Sequence, residues 1–122
     1  MTSDLTKLEA HQIASMVNSK AIDLREVVNS FDERIQKYSK DLNTHIYYEK
    51  SDLEKQFLRV EKDLSDGKAL PLAGVPDLVK DNICIKDHRV TASSKILSGF
   101  KSLYSSTVIQ KLLVEDVIII GI

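Results

Sequence analysis

The sequence predicts an α/β fold in which amino-terminal helices pack on the first strands of a sheet that remains incomplete. Three observations carry that expectation. Apolar side chains recur with helical period through the first two thirds, the last third turns to β-branched residues and turn formers, and residues 117–120 are an unbroken apolar run. The change near residue 67 divides the chain into a helical front, 1–67, and the start of an α/β core, 68–122, within one domain. Its 43% hydrophobic content is sufficient for a core of that size.

Each element has a local cause. Thr6 followed by Glu9 places a hydroxyl and a carboxylate where each satisfies a backbone N–H left free by a first helical turn, so a helix is expected over residues 6–18. Asp23 with Glu26 repeats the arrangement, and Ile22 packing on Val27 fixes how the chain enters. Leu24, Val28, Phe31 and Ile35 then line one helical face. Ser51 with Glu54 opens a third helix, whose stripe of Leu53, Phe57, Val60 and Leu64 runs until Gly67 supplies a left-handed cap. Between the second and third helices, His45, Ile46, Tyr47 and Tyr48 read as a short strand.

Pro71 and Pro76 forbid helix, Gly74 permits an unusual backbone, and Leu78 with Val79 enters a strand that ends in Lys80, Asp81 and Asn82. Thr107 is placed to cap a helix carrying Val108, Ile109, Leu112 and Leu113. The run at 117–120 suits a strand buried on both faces, as in a parallel sheet flanked by helices. Left bare, its edge would drive aggregation, so further chain or a partner is expected to cover it.

Composition excludes several functions. Acidic and basic residues number 18 and 17, so no net field holds a nucleic-acid backbone or an anionic membrane. The single cysteine, Cys84, forms no internal disulfide, and no stretch resembles a signal peptide or a membrane span, so a reducing, cytoplasmic setting is expected. His11, His45 and His88 lack ligand spacing and Cys84 has no CxxC partner, which argues against a metal site. No glycine falls in a phosphate-binding pattern. Ser93, Ser94 and Lys95 set hydroxyls beside an amine, but that composition reads first as a polar turn.

Lys80 stands apart because it closes a strand, where a sheet holds a side chain rigidly and burial would lower an ammonium pKa toward that of a general base. Spacing alone favours a solvated lysine there. The stretch around it says more: Leu72-Ala73-Gly74-Val75-Pro76 through Val79-Lys80-Asp81-Asn82-Ile83 resembles the beginning of the amidase signature, in which a Gly-hydrophobic-Pro turn feeds a strand ending in the catalytic lysine of Lys-Asp-Asn. Thr91-Ala92-Ser93-Ser94-Lys95-Ile96-Leu97 looks like the family's threonine-and-serine segment, and Tyr104 with Thr107 and Val108 opens a similar helix. Upstream, the paired helices and Leu42-Asn43-Thr44-His45-Ile46 are similar to the front of transamidase A subunits, so the resemblance covers nearly the whole chain.

This resemblance implies helices packed on the first strands of the amidase-signature mixed sheet, with Lys80 as the catalytic base. It also implies a bridging serine and a nucleophilic serine that would follow Ile122, so that Ser93 and Ser94 are not given the nucleophile's role and the chain alone is expected to be inactive. The implied activity is the glutamine-hydrolysing part of a tRNA-dependent amidotransferase that converts Glu-tRNA(Gln) to Gln-tRNA(Gln). Its partners would be the B and C subunits, with tRNA reached through B. No cofactor would be bound by this chain, ATP and Mg being used by the partner subunit. A general amidase acting on small amides and a non-catalytic protein-binding module are the alternatives. Asp77 and Leu78 depart from the family's apolar and small residues, Ile122 stands where a lysine is usual, and Glu115 with Asp116 replaces a small, glycine-containing turn.

Overall fold

The computed structural model describes residues 4–47 and 50–122. In chain order the elements are α1 (Ala10–Asn18), α2 (Leu24–Leu42), α3 (Leu53–Ser65), β1 (Pro76–Leu78), α4 (Thr107–Val114) and β2 (Ile118–Gly121). Asp23 caps α2 as its sequence predicts, Oδ1 accepting from the Arg25 N–H at 2.8 Å. The other starts are corrected. Asp4 captures both the N–H and the hydroxyl of Thr6, at 3.1 and 2.6 Å, in a single 3-10 turn, so α1 begins at Ala10 with Gln12 Oε1 accepting from the Glu9 N–H at 2.9 Å. Asp52 rather than Ser51 stands at the N-cap of α3, and Ser106 rather than Thr107 caps α4, its hydroxyl accepting from the Ile109 N–H.

β1 and β2 pair in parallel, Pro76 opposite Ile118 and Asp77 opposite Ile119, with a bulge before Leu78 meets Gly121. One face of the pair carries Ile118 and Ile120 against Leu24, Val28, Leu53, Phe57 and Val60 of α2 and α3. On the other, Val79 and Ile119 meet Ile85 and Ile109, with Leu112 and Leu113 of α4 alongside. A strand covered on both faces has no use for polar alternation, which is why residues 117–120 are uniformly apolar. The expected α/β architecture is therefore present, as an open two-stranded sheet under a helical front.

Several backbone groups on the far edge of β2 already have partners among the described residues. The Gln56 carboxamide of α3 accepts from the Ile119 N–H at 2.8 Å and donates to the Ile119 carbonyl at 2.9 Å. Arg59 donates to the Val117 carbonyl at 2.8 Å. Beyond them the Ile122 carbonyl accepts from the N–H groups of Ile46 and Tyr47, and the Ile122 N–H donates to the Tyr47 carbonyl. The short strand expected at 45–48 is thus a bonded irregular segment as far as Tyr47; Tyr48 lies outside the described residues. Two helical side chains and this segment supply what a third strand would, satisfying the ladder groups a buried edge otherwise leaves unpaired.

Asp116 turns the chain into β2 with φ +62°, the left-handed conformation that a glycine would adopt without strain. Its side chain is buried, with Oδ1 accepting from Arg59 Nε at 3.1 Å, while Oδ2 lacks a donor among the described residues. Burial raises the Asp116 pKa above the usual carboxylate value; Arg59 opposes the shift and the neighbouring Asp63 adds to it. The carboxyl therefore binds a proton more tightly folded than unfolded, and stability falls as pH rises from the ordinary carboxylate value through the raised one. Asn tolerates the same backbone and carries no charge. We expect Asp116→Asn to match the parent at low pH and to exceed it at pH 7 by up to about 1 kcal/mol, read from urea unfolding midpoints across pH 3–8.

Candidate active site

Lys80 lies two residues beyond the end of β1 at Leu78. Val79 prolongs the ladder, its N–H donating to the Gly121 carbonyl at 3.0 Å, and its side chain is buried. The Lys80 carbonyl then accepts from the Ile83 N–H at 2.9 Å, so Lys80-Asp81-Asn82-Ile83 is a single reverse turn that leaves the sheet. The Lys80 side chain is exposed, as its spacing in the sequence favours. The physical reason is local: β1 ends at Leu78, and residue 80 projects from a turn beyond the two-stranded sheet, where neither helical layer covers it.

Asp81 points the opposite way and is buried. Its Oδ1 accepts from the Thr91 N–H at 2.8 Å, its Oδ2 from the Thr91 hydroxyl, and its carbonyl from the Ala92 N–H at 2.9 Å. The Thr91 hydroxyl in turn accepts from the Ser93 N–H at 3.2 Å, and the Thr91 carbonyl from the Ser94 N–H at 2.8 Å. Burial works to raise the Asp81 pKa, but the Thr91 and Ser93 donors and the nearby Lys80 charge outweigh it and hold the carboxyl below the usual range. Between them these bonds keep Ala92 at φ +46° and Ser93 at φ +61°. Two consecutive left-handed residues with side chains are costly, about 1–2 kcal/mol each, and persist only where bonding over-determines them.

Ser93, Ser94 and Lys95 thus form a turn leading into a 3-10 segment, Lys95–Leu97, with the Ser93 side chain exposed. The histidines are dispersed: His11 pairs with Glu9, His45 Nδ1 lies 3.2 Å from the Thr44 hydroxyl, and His88 Nδ1 lies 2.9 Å from the Lys86 carbonyl. Among the described residues no three metal-ligating side chains converge, and no helix is long and apolar enough to cross a membrane. Cys84 is a free, half-buried thiol.

Sequence reasoning missed two residues that organise this region. Gln56 lies three residues after Leu53 and four before Val60, within the buried stripe of α3, and a polar residue at that spacing was the available signal. Asp81 had none beyond adjacency to Lys80, because its partner lies ten residues on across a loop.

The profile of the family described as Amidase matches residues 26–122, and the chain belongs to the amidase family. Among its relatives is an A subunit of the glutamyl-tRNA(Gln) amidotransferase of Clostridium acetobutylicum, 37% identical over 119 residues that make up 97% of this chain and 24% of the relative. The corresponding A subunit from Brachyspira hyodysenteriae is 37% identical over 97% of this chain and 25% of its own length. A bacterial aryl acylamidase of the amidase-signature family superimposes with a TM-score of 0.82 at 28% identity, over 93% of this chain and 24% of that one. The peptide amidase of Stenotrophomonas maltophilia shares the fold at a TM-score of 0.82 and 22% identity, over 94% and 24% of the two chains. The chain spans about a quarter of the length of the curated relatives it matches.

Proposed function

We propose that this chain supplies the base-bearing part of a glutamine-hydrolysing amidotransferase subunit that serves the conversion of Glu-tRNA(Gln) to Gln-tRNA(Gln). The supporting observation is the turn 80–83, which sets Lys80 at the end of a parallel strand in a chain matched over 97% of its length by amidotransferase A subunits. In this reading the Lys80 amine accepts a proton from a hydroxyl supplied by another part of the enzyme, and the alkoxide so formed relays activation to a nucleophile that attacks the amide carbonyl. The proton taken by Lys80 returns through the same relay to the amide nitrogen as the C–N bond breaks, so ammonia leaves and an acyl-enzyme remains for water to cleave. In this reading further polypeptide also covers the exposed Lys80 side chain. The B and C subunits are the proposed partners, with tRNA reached through B and with ATP and magnesium used by the partner subunit. The cytoplasm is the proposed location.

The test is an ammonia-release assay on glutamine with the purified 122-residue chain. No ammonia above a heat-killed control is expected, and Lys80→Ala is expected to leave that result unchanged. Release above the control would overturn the reading that Lys80 depends on other polypeptide. Co-purification with B and C subunits supports the amidotransferase, whereas hydrolysis of small amides by a longer form without partners supports a general amidase. A stable, inactive monomer that ignores both subunits supports a binding module.

A further inference from the structure

We propose that Asp81 is the positioning residue of the Lys80 site, locking the turn that begins at Lys80 to the turn 91–94 so that the two move as one body. The inference rests on the reading of Lys80 as a base, although the lock itself stands on geometry alone. A lysine on an isolated reverse turn has little to hold its backbone in place. Here the residue immediately after it is buried and engages the second turn through both carboxylate oxygens and its carbonyl.

The bonding is closed. The N–H groups of Thr91, Ala92, Ser93 and Ser94 all have acceptors, in order the Asp81 carboxylate, the Asp81 carbonyl, the Thr91 hydroxyl and the Thr91 carbonyl. Successive backbone N–H groups in a turn can form a concave anion site when they are free. In this loop all four N–H groups already have acceptors within the chain, so the turn serves as a fixed wall and does not bind a ligand through its backbone. The consecutive positive φ angles at Ala92 and Ser93 are the mark of that constraint. Thr91 is the second half of the lock, since its hydroxyl donates to Asp81 and accepts from Ser93 at once.

The experiment measures NMR order parameters and amide exchange in the 122-residue chain for the parent, Asp81→Ala, Thr91→Val and Thr91→Ser. In the parent, residues 80–83 and 91–94 are expected to be as rigid as β2. Asp81→Ala and Thr91→Val should each loosen both turns together, with amide exchange at residues 92–94 accelerating at least tenfold while the amides of α2 and α3 keep their protection. Thr91→Ser, which retains the hydroxyl, should restore the parental pattern. Loosening of 91–94 with 80–83 unchanged would overturn the coupling, and so would failure of serine to rescue. If a variant unfolds globally, α2 and α3 lose protection too, and the parent then decides: order parameters at 80–83 or 91–94 below those of β2 would overturn the lock. Within an active assembly Asp81→Ala should lower kcat at least tenfold with KM unchanged within twofold. Full activity of Lys80→Ala in that assembly would remove the reading of Lys80 as base and leave the coupling between the turns standing.

Discussion

Replacing Gln56 by leucine is expected to cost about 2–4 kcal/mol of stability, although leucine is the better match to the apolar stripe around it. The substitution removes both bonds to Ile119 and strands a buried N–H and a buried carbonyl of β2. Each unsatisfied group is worth about 1–3 kcal/mol, and the apolar gain returns only part of that. Domains of this size hold roughly 5–15 kcal/mol in total, so the loss is a large fraction. Urea unfolding should show a lower midpoint with an unchanged slope, and light scattering should show association as the β2 edge becomes available. Gln56→Glu separates the two bonds. An ionised carboxylate still accepts from the Ile119 N–H but offers nothing to the carbonyl, whereas the protonated acid serves both. Its folded pKa is therefore expected to be raised, and the variant should be least stable above that raised value and recover as pH falls toward the ordinary carboxylate range. A Gln56→Leu chain within 0.5 kcal/mol of the parent would show that water or a rearranged helix satisfies the edge.

Where a residue's role is local, it was legible. The stripe of Leu53, Phe57 and Val60 predicted the buried face of α3, Asp23 predicted the start of α2, and Gly67 adopts the left-handed cap its position foretold, with φ +80°. The apolar run at 117–120 announced a strand covered on both faces, because such composition is tolerable only in that setting. What failed was competition among neighbours. Thr6 has the chemistry of an N-cap, but Asp4 two residues earlier offers a charged acceptor and takes it into a different turn. Gln56 and Asp81 act across 63 and 10 residues, and no window of periodicity reports a bond whose partner is set by the fold.

Gly74→Ala is expected to be nearly as damaging as loss of Gln56, and it reaches the candidate site from the opposite side. The residue sits at φ +72°, where a side chain is disfavoured by about 1–2 kcal/mol. A Cβ built there would lie 2.7 Å from Leu24 Cδ1 and 3.1 Å from Val17 Cγ2, so both side chains must shift within a packed interior, at a further cost of about 1–3 kcal/mol. A combined loss of about 2–5 kcal/mol in denaturant unfolding is the expected result. Leu24→Ala, which opens space where the clash is worst, distinguishes the two contributions. In the double variant the steric part should be recovered and the backbone part retained, so the pair should be clearly non-additive. Strict additivity would mean that the turn moves away from Leu24 and that α2 does not set its position. That distinction matters for Lys80. The Gly74 N–H donates to the Asp116 carbonyl at 2.9 Å, and the residues that follow enter β1, so the close approach of α1 and α2 at Gly74 fixes where β1 starts. A strand of three residues has no length in which to absorb an error at its entrance, and any displacement there is passed directly to the turn at its end.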